Sequence, residues 1–417
     1  MTVDERAPLR HVITLGASLT ANKGAAAMLT TVTQRLPEHV GRCTFSVLST
    51  DPAGDTARCH ELGSAHVLDL RPLRLALLEF PLALLAGILR ALRVPRRLVP
   101  STQVGRAISG ADIAVDLAGI SFVDSRGVPN LVYNTLMSSL PILHGTPTVK
   151  AAQAIGPCRK PLTRLTARLV LGRMRWVGAR GAQTRIHLDE LDLTNSDTVA
   201  DLAFSLREDA SLPAHVASTL PTGDFITVMP SIVVERLFND DPARYLSAMA
   251  TLVEELVTAT GQPVVIAAHS YERSATRHRM NDRPTLLELA QRLSHVSGVT
   301  VIDEELTAGQ LRHLISSSTF LVTSRFHAMI SALATCTPVY VIGWSHKYRE
   351  VLSDFGLEHL GASHTDLADP STLASVVAAE VARRNEITRL IAQALPDVTT
   401  RSEMNFTRMA QVMGGER

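Results

Sequence analysis

The sequence predicts an α/β protein of two Rossmann-like, doubly wound domains that face each other across a cleft. Its 417 residues are comfortable for two domains and long for one. Hydrophobic residues make up 46% and charged residues 19%, a balance suited to sheets covered on both faces. Short Val/Ile-rich runs alternate with helical patterns in two successive series, and the turn-rich stretch from Arg207 to Asp224 separates them.

In the first series "HVITLGA" reads as a strand and "KGAAAMLTTVTQRL" as an amphipathic helix closed by Pro37. "CTFSVLST" and "ADIAVDLAG" follow as strands, "LVYNTLMSSLPILHG" as a helix and "PTVKAAQAIGP" as a strand. The helix "PLTRLTARLVLGRM", the strand "RWVGAR" and the helical "RIHLDEL" complete it. The second series runs "FITVMPS", "YLSAMATLVEELVTATG", "PVVIAAHS", "TLLELAQRLSHV", "VTVID" and "LTAGQLRHLISSS". It continues with "TFLVTS", "FHAMISALATC", "PVYVIG" and "YREVLSDFG", and a long helical segment begins at "PSTLASVVAAEVARR". Strand-helix alternation of this kind implies mostly parallel sheets. The domains are expected at 9–206 and 222–395, with 396–417 as a C-terminal tail.

Composition narrows the function classes. A formal net charge of +1 argues against a broad grip on nucleic acid. Cys43, Cys59, Cys158 and Cys336 are widely spaced with no CxxC pair, so neither a zinc knuckle nor a disulfide framework is expected, and a reducing cytoplasm is. No His/Asp cluster has metal spacing, and metal dependence is not predicted. The N-terminus carries acids and lacks the apolar core of a signal peptide. "LALLEFPLALLAGILRAL" (Leu75 to Leu92) is strongly apolar, but Glu79, Pro81 and Arg90 interrupt it, so a bilayer span is not expected. It reads as a buried helix pair or a flap over the cleft. Its sharper reading is peripheral contact of residues 75–97 with the inner face of the membrane, flanked by the basic "RVPRR".

Ligands of open α/β sheets sit beyond the carboxyl ends of the strands. After the first strand, Gly16, Ser18, Asn22, Lys23 and Gly24 lie in a loop that opens a helix, a setting suited to a sugar or phosphate oxygen. Asp116, Gln153, Arg180 and His269 stand at further strand ends. Ser324, Arg325 and His327 follow "TFLV" and begin the helix "FHAMISALA", so Arg325 projects near a positive helix end that favours an anion. His327 lies two residues on and can exchange a proton near neutrality. Ser345, His346 and Lys347 follow the strand "PVYVIG". Two cation-bearing knots at two strand ends point to an anion site.

"SRFHAMISALATCTPVYVIGWSHKYREVLSDFG" resembles the C-terminal signature of the polysaccharide pyruvyl transferase family. "GASLTANKGAAAML", "DLAGISF", "AQAIGP", "GARGAQT" and "AAHS" resemble further pieces of that family in the expected order, from about Gly16 to Gly356. The chain departs from the family where Ala25 and Ala26 replace an acid in the first loop and where Gly119 stands for a run of glycines. It departs again where Gly181 replaces an acid after Arg180.

The resemblance implies a GT-B-like fold, with the first domain on the acceptor side and the second on the phosphoenolpyruvate side. It implies transfer of the pyruvyl group from phosphoenolpyruvate to two hydroxyls of one sugar, as a cyclic ketal, with phosphate released and no cofactor. Arg325 and Arg180, supported by Lys347, would hold the donor, and Ser324, Asn22, Lys23, Gly24, Asp116 and Gln153 would line the substrates. His327 would be the first acid or base, and His269 or His346 the second. The rival readings are a nucleotide-sugar-dependent GT-B glycosyltransferase and a non-catalytic family member. Aromatic residues at only 4% offer few platforms for stacking a base, which favours the pyruvyl reading over the first rival.

Overall fold

The computed structural model describes residues 8–20, 22–63, 65–95, 99–207, 211–238, 241–273, 280–343 and 346–415. Arg96 and Arg97 of the basic flank, Ser345 and the side chain of His346 lie outside the described residues. The chain forms two compact units. Unit 1 comprises Met1–Thr20, Met28–Leu206 and Thr400–Arg417, and unit 2 comprises Ala21–Ala27 and Arg207–Thr399.

Unit 1 is an eight-stranded sheet. Its strands are β1 (Arg10–Leu15), β2 (Cys43–Ser49), β3 (Ala65–Asp69), β4 (Ile113–Asp116), β5 (Ile120–Ser121), β6 (Thr148–Ile155), β7 (Trp176–Arg180) and β8 (Ser196–Val199). The order is β3-β2-β1-β4-β6-β7-β8, with β5 added beside β6. Every pairing is parallel. Unit 2 repeats the plan with β9 (Ile226–Met229), β10 (Val264–Ala267), β11 (Val299–Ile302), β12 (Phe320–Thr323), β13 (Val339–Gly343) and β14 (Gly361–Ser363). Its order, β11-β10-β9-β12-β13-β14, is again all parallel. The strands are short apolar runs because both faces are covered: Val264, Val265, Ile266, Phe320, Leu321 and Val322 are fully buried.

Three sequence expectations change in detail. Pro37 does not close the first helix, which runs Lys23–Val40. A proline so near the end removes a single helical bond, and Gly41 N still donates to Pro37 O at 2.9 Å. The apolar stretch is not a buried helix pair. It is one helix, Pro72–Ala91, and among the described residues it alone is long and apolar enough to cross a membrane. Pro81 is accommodated because a π-helical turn, Leu75–Glu79, precedes it. The Arg74 guanidinium and the Thr102 hydroxyl satisfy the buried Glu79 carboxylate, at 3.0 and 2.6 Å. Finally, the turn-rich connection contains a short helix, Ala214–Ala217.

Candidate active site

Each sheet has one point where strand order reverses, and in unit 2 it falls between β9 and β12. Met229 and Thr323 end those strands as register partners, so the loops beyond them run apart. Ser231 follows β9, Ser324 and Arg325 follow β12, and His269 and Ser270 follow the adjacent β10.

Arg325 takes an extended backbone at the cap of the helix Phe326–Ala334, and its N–H donates to Thr323 Oγ1 at 3.0 Å. Its guanidinium is buried. Nη2 donates to Met280 O at 2.9 Å and forms an ion pair with Asp282. The Asp282 carboxylate is fully buried and also accepts from Ile232 N at 2.9 Å and Ser270 N at 3.0 Å. Burial pushes the Asp282 carboxyl above its usual range, although the charge of Arg325 and these hydrogen bonds oppose that shift. One carboxylate therefore fixes the guanidinium and two neighbouring loops. Arg325 Nε and Ser270 Oγ are buried and have no hydrogen-bond partner among the described residues. Such donors suit a bound anion.

His269 lies in the same place. Burial, followed by the positive charges of Arg325, His327 and Lys23, holds its imidazole well below the ordinary value. It is neutral at pH 7, able to accept a proton there but not to act as a standing imidazolium acid. The half-buried His327 meets the first turn of the helix Lys23–Val40, where a Cβ added at Gly24 would lie 2.6 Å from its ring carbon Cγ. Only a residue without a side chain lets helix and imidazole come this close. Asn22 Oδ1 accepts from Gly24 N at 3.1 Å, and the buried Lys23 pairs with Glu305 at 3.3 Å. Ser324 N donates to Met229 O at 3.3 Å, and its carbonyl accepts from the Tyr348 hydroxyl at 2.9 Å. The Lys347 ammonium lies 4.6 Å from the Phe326 ring centroid, a cation–π contact.

Unit 2 thus brings together Lys23, Gly24, His269, Arg325 and His327, with Asn22 and Ser324 beside them. Asp116, Gln153 and Arg180 belong to unit 1. Asp116 is a buried structural anion and not a strand-end group open to a ligand. It pairs with Lys150 and accepts from Ser138 Oγ at 2.6 Å, Gln153 Nε2 at 3.0 Å and Ala118 N at 3.0 Å. Burial pushes its carboxyl up, but Lys150 and these donors outweigh that and hold it below its usual range. Gln153 is committed to the same network, accepting from Ser121 Oγ at 3.0 Å. Arg180 donates to Asp201 at 2.8 Å and to Gly119 O at 3.3 Å.

Sequence reasoning missed Asp282 and Lys150. An acid directly before an Arg-Pro helix start, and a lysine inside the apolar run "TVKAAQAI", were the available signals. Among the described residues no group of three His, Cys, Asp or Glu side chains could hold a metal ion.

The description of the polysaccharide pyruvyl transferase family matches residues 22–346, more than three-quarters of the chain. The chain belongs to that family. The match opens at Asn22, where the loop reaches His327, and closes at His346. A curated relative, the amylovoran biosynthesis protein AmsJ of Erwinia amylovora, is 22% identical over 302 residues, covering 70% of each chain. Solved structures place this transferase family member among GT-B folds. A putative UDP-N-acetylglucosamine 2-epimerase from Listeria monocytogenes superposes with a TM-score of 0.57 at 12% identity, over 93% of this chain and 91% of that one. The UDP-GlcNAc 2-epimerase of Neisseria meningitidis gives 0.57 at 11%, over 94% and 98%. UGT73P12 of Glycyrrhiza uralensis gives 0.59 at 9%, over 98% and 96%. At these identities the likeness is one of fold.

Proposed function

We propose that this pyruvyl transferase moves the pyruvyl group of phosphoenolpyruvate onto two hydroxyls of one sugar in an exopolysaccharide or its glycolipid precursor. The relative named for amylovoran biosynthesis supports a polysaccharide acceptor. The observation that carries the donor assignment is Arg325. Asp282 grips one side of its guanidinium while Nε and the neighbouring Ser270 Oγ remain as buried donors without partners among the described residues. Phosphoenolpyruvate is a compact polyanion, and an oriented guanidinium with a hydroxyl beside it fits either its phosphate or its carboxylate. Lys23 and Lys347 add charge.

The chemistry balances without a redox partner or cofactor. Protonation of the methylene carbon leaves an oxocarbenium-like centre, and the first sugar hydroxyl forms its C–O bond there. The C–O bond to phosphate then breaks, and the neighbouring hydroxyl closes the ketal. Of the two hydroxyl protons, one is made good on the new methyl group and the other leaves on phosphate. His327, half-buried beside the cluster, is the assigned proton donor, and the neutral His269 is the assigned acceptor. The free cysteines and the phosphorylated donor suit the cytoplasm.

The test is incubation with phosphoenolpyruvate and a panel of glycans. Phosphate release should match the gain of a pyruvyl ketal on the acceptor. Arg325→Ala should abolish phosphoenolpyruvate binding, and Asp282→Asn should raise KM more than it lowers kcat by loosening the guanidinium. His327→Ala should spare binding and lower kcat by 10²-fold or more, the range expected of a lost general acid. Protection against thermal unfolding by a UDP-sugar and none by phosphoenolpyruvate would overturn the reading in favour of glycosyl transfer.

A further inference from the structure

Large apolar side chains are exposed very unevenly on this protein. Of the 17 exposed ones among the described residues, 12 stand on a single layer of unit 1 helices, and a further one, Leu92, directly follows the first of them. That layer contains the helices Pro72–Ala91, Gly127–His144, Pro161–Leu171 and Gly181–Asp189. Right-handed crossovers, running in one direction from β3 to β4 and on through β6 and β7 to β8, put these connections on one face of the sheet. The first two helices pack together, as do the second and third.

Pro72–Ala91 carries most of the exposed area. Leu75, Glu79, Ala83 and Ala86 face inward, and Leu75 and Ala83 join a core cluster with Ile13 and Met137. The opposite stripe is apolar as well. Leu73 and Leu77 are each 76% exposed and Leu92 is 69% exposed, with Leu84, Leu85 and Ile88 between them. The helix therefore lies along the sheet and presents a second apolar face outward, which a solvated surface helix does not do. Pro161–Leu171 repeats the pattern. Thr163, Ala167 and Val170 face in, while Leu162, Leu165 and Leu169 alternate outward with Arg164 and Arg168.

Charge decides what covers this face. The chain as a whole nets only +1, yet residues 71–106 contain seven arginines and one acid, Glu79. Residues 159–175 contain six cations and no acid. Arg96 and Arg97 lie outside the described residues. Some of the others are paired, Arg71 with Asp69 at 2.9 Å, Arg74 with Glu79 at 3.0 Å and Arg168 with Asp192 at 3.3 Å, which still leaves cations in excess on these two segments. A second copy of this face would meet it with like charge. An anionic bilayer offers both complements, acyl chains for the leucines and phosphate headgroups for the arginines around them.

We propose that this layer is a membrane-docking surface. The helices Pro72–Ala91 and Pro161–Leu171 lie in the interface of an anionic leaflet, with their outward leucines below the headgroups and their arginines among them. The proposal rests on the surface alone and not on the pyruvyl chemistry of unit 2.

Co-sedimentation of the full chain with phosphatidylcholine vesicles, with and without phosphatidylglycerol, tests it. Binding is expected to the mixed vesicles only and should weaken with added salt. Leu77→Asp with Leu84→Asp should lower the partition coefficient at least tenfold, since each leucine loses a roughly tenfold contribution from burial. Leu165→Asp should do so independently, and Arg164→Glu with Arg168→Glu should remove the preference for phosphatidylglycerol. These side chains are exposed, so unchanged thermal unfolding is expected and serves as the folding check. The proposal is overturned if the chain stays in the supernatant, if binding is indifferent to these variants, or if sedimentation velocity without lipid shows an oligomer that Leu77→Asp dissociates. Phosphoenolpyruvate turnover on a soluble glycan, measured alongside, fails or succeeds separately.

Discussion

At the scale of single residues, the site is organised by a carboxylate that need never touch substrate. Asp282 holds Arg325, and it holds the backbone of Ser270 directly after His269. The imidazole is packed among positive charges, which has a consequence for stability. Burial and the charges of Arg325, His327 and Lys23 lower its folded-state pKa, while in the unfolded chain it titrates near the usual 6.5. The unfolded state therefore binds more protons in the window from 6.5 down to the lowered value. Stability from this group is fully present above that window and is lost as pH falls through it. Unfolding free energy, measured by urea titration at intervals from pH 7.5 to 5.5, should decline on acidification, with up to about 1.4 kcal/mol per pH unit arising from this one proton. His269→Gln should flatten that part of the slope. An unchanged slope would mean that His269 is protonated in the folded protein.

At the scale of elements, Gly24 shows how a helix start can be shaped by a side chain far away in sequence. Alanine in a helix is ordinarily favoured over glycine by about 1 kcal/mol. Here the added methyl would collide with the His327 ring, so the sign reverses. Gly24→Ala should destabilise by about 1–3 kcal/mol and lower kcat, since the ring must move. Thermal unfolding together with the ketal assay checks both. Parallel strands were legible in the sequence because burial on both faces leaves short Val/Ile runs with little alternation. The loops after β10 and β12 were legible because strand ends locate ligand sites in such sheets. The partners of the charged residues were not. Asp282 reaches Arg325 across 43 residues and Lys150 reaches Asp116 across 34, and no local pattern encodes such pairings. Nor does hydropathy say which face of Pro72–Ala91 is covered, because a helix apolar on both sides reads as one destined for a core.

At the scale of the whole molecule, the end of the chain belongs to the unit that the beginning builds. The last helix, Arg384–Gly414, runs from unit 2 into unit 1, and its final turns close a face of unit 1. Phe406 and Met409 are fully buried, and Phe406 stacks on His39 with ring centroids 5.8 Å apart. Asn405 donates to Ala200 O at 3.2 Å, Ser402 to Asp201 O at 2.9 Å, and Arg35 pairs with Glu403 at 2.9 Å. Trp176 in β7 donates through Nε1 to Asp197 at 2.8 Å, and Arg408 donates to the same oxygen at 2.8 Å. The fluorescence of Trp176 thus reports directly on whether this helix is seated, while Trp344, the other tryptophan, lies in the chain segment of unit 2. Phe406→Ala removes a buried aromatic ring and should cost about 3–5 kcal/mol. With Trp344→Phe as background, the urea midpoint read by Trp176 should fall accordingly. With Trp176→Phe as background, the Trp344 transition should stay where it was if each unit carries its own stability. Equal displacement of both would instead show that the final helix joins the two units into one cooperative transition.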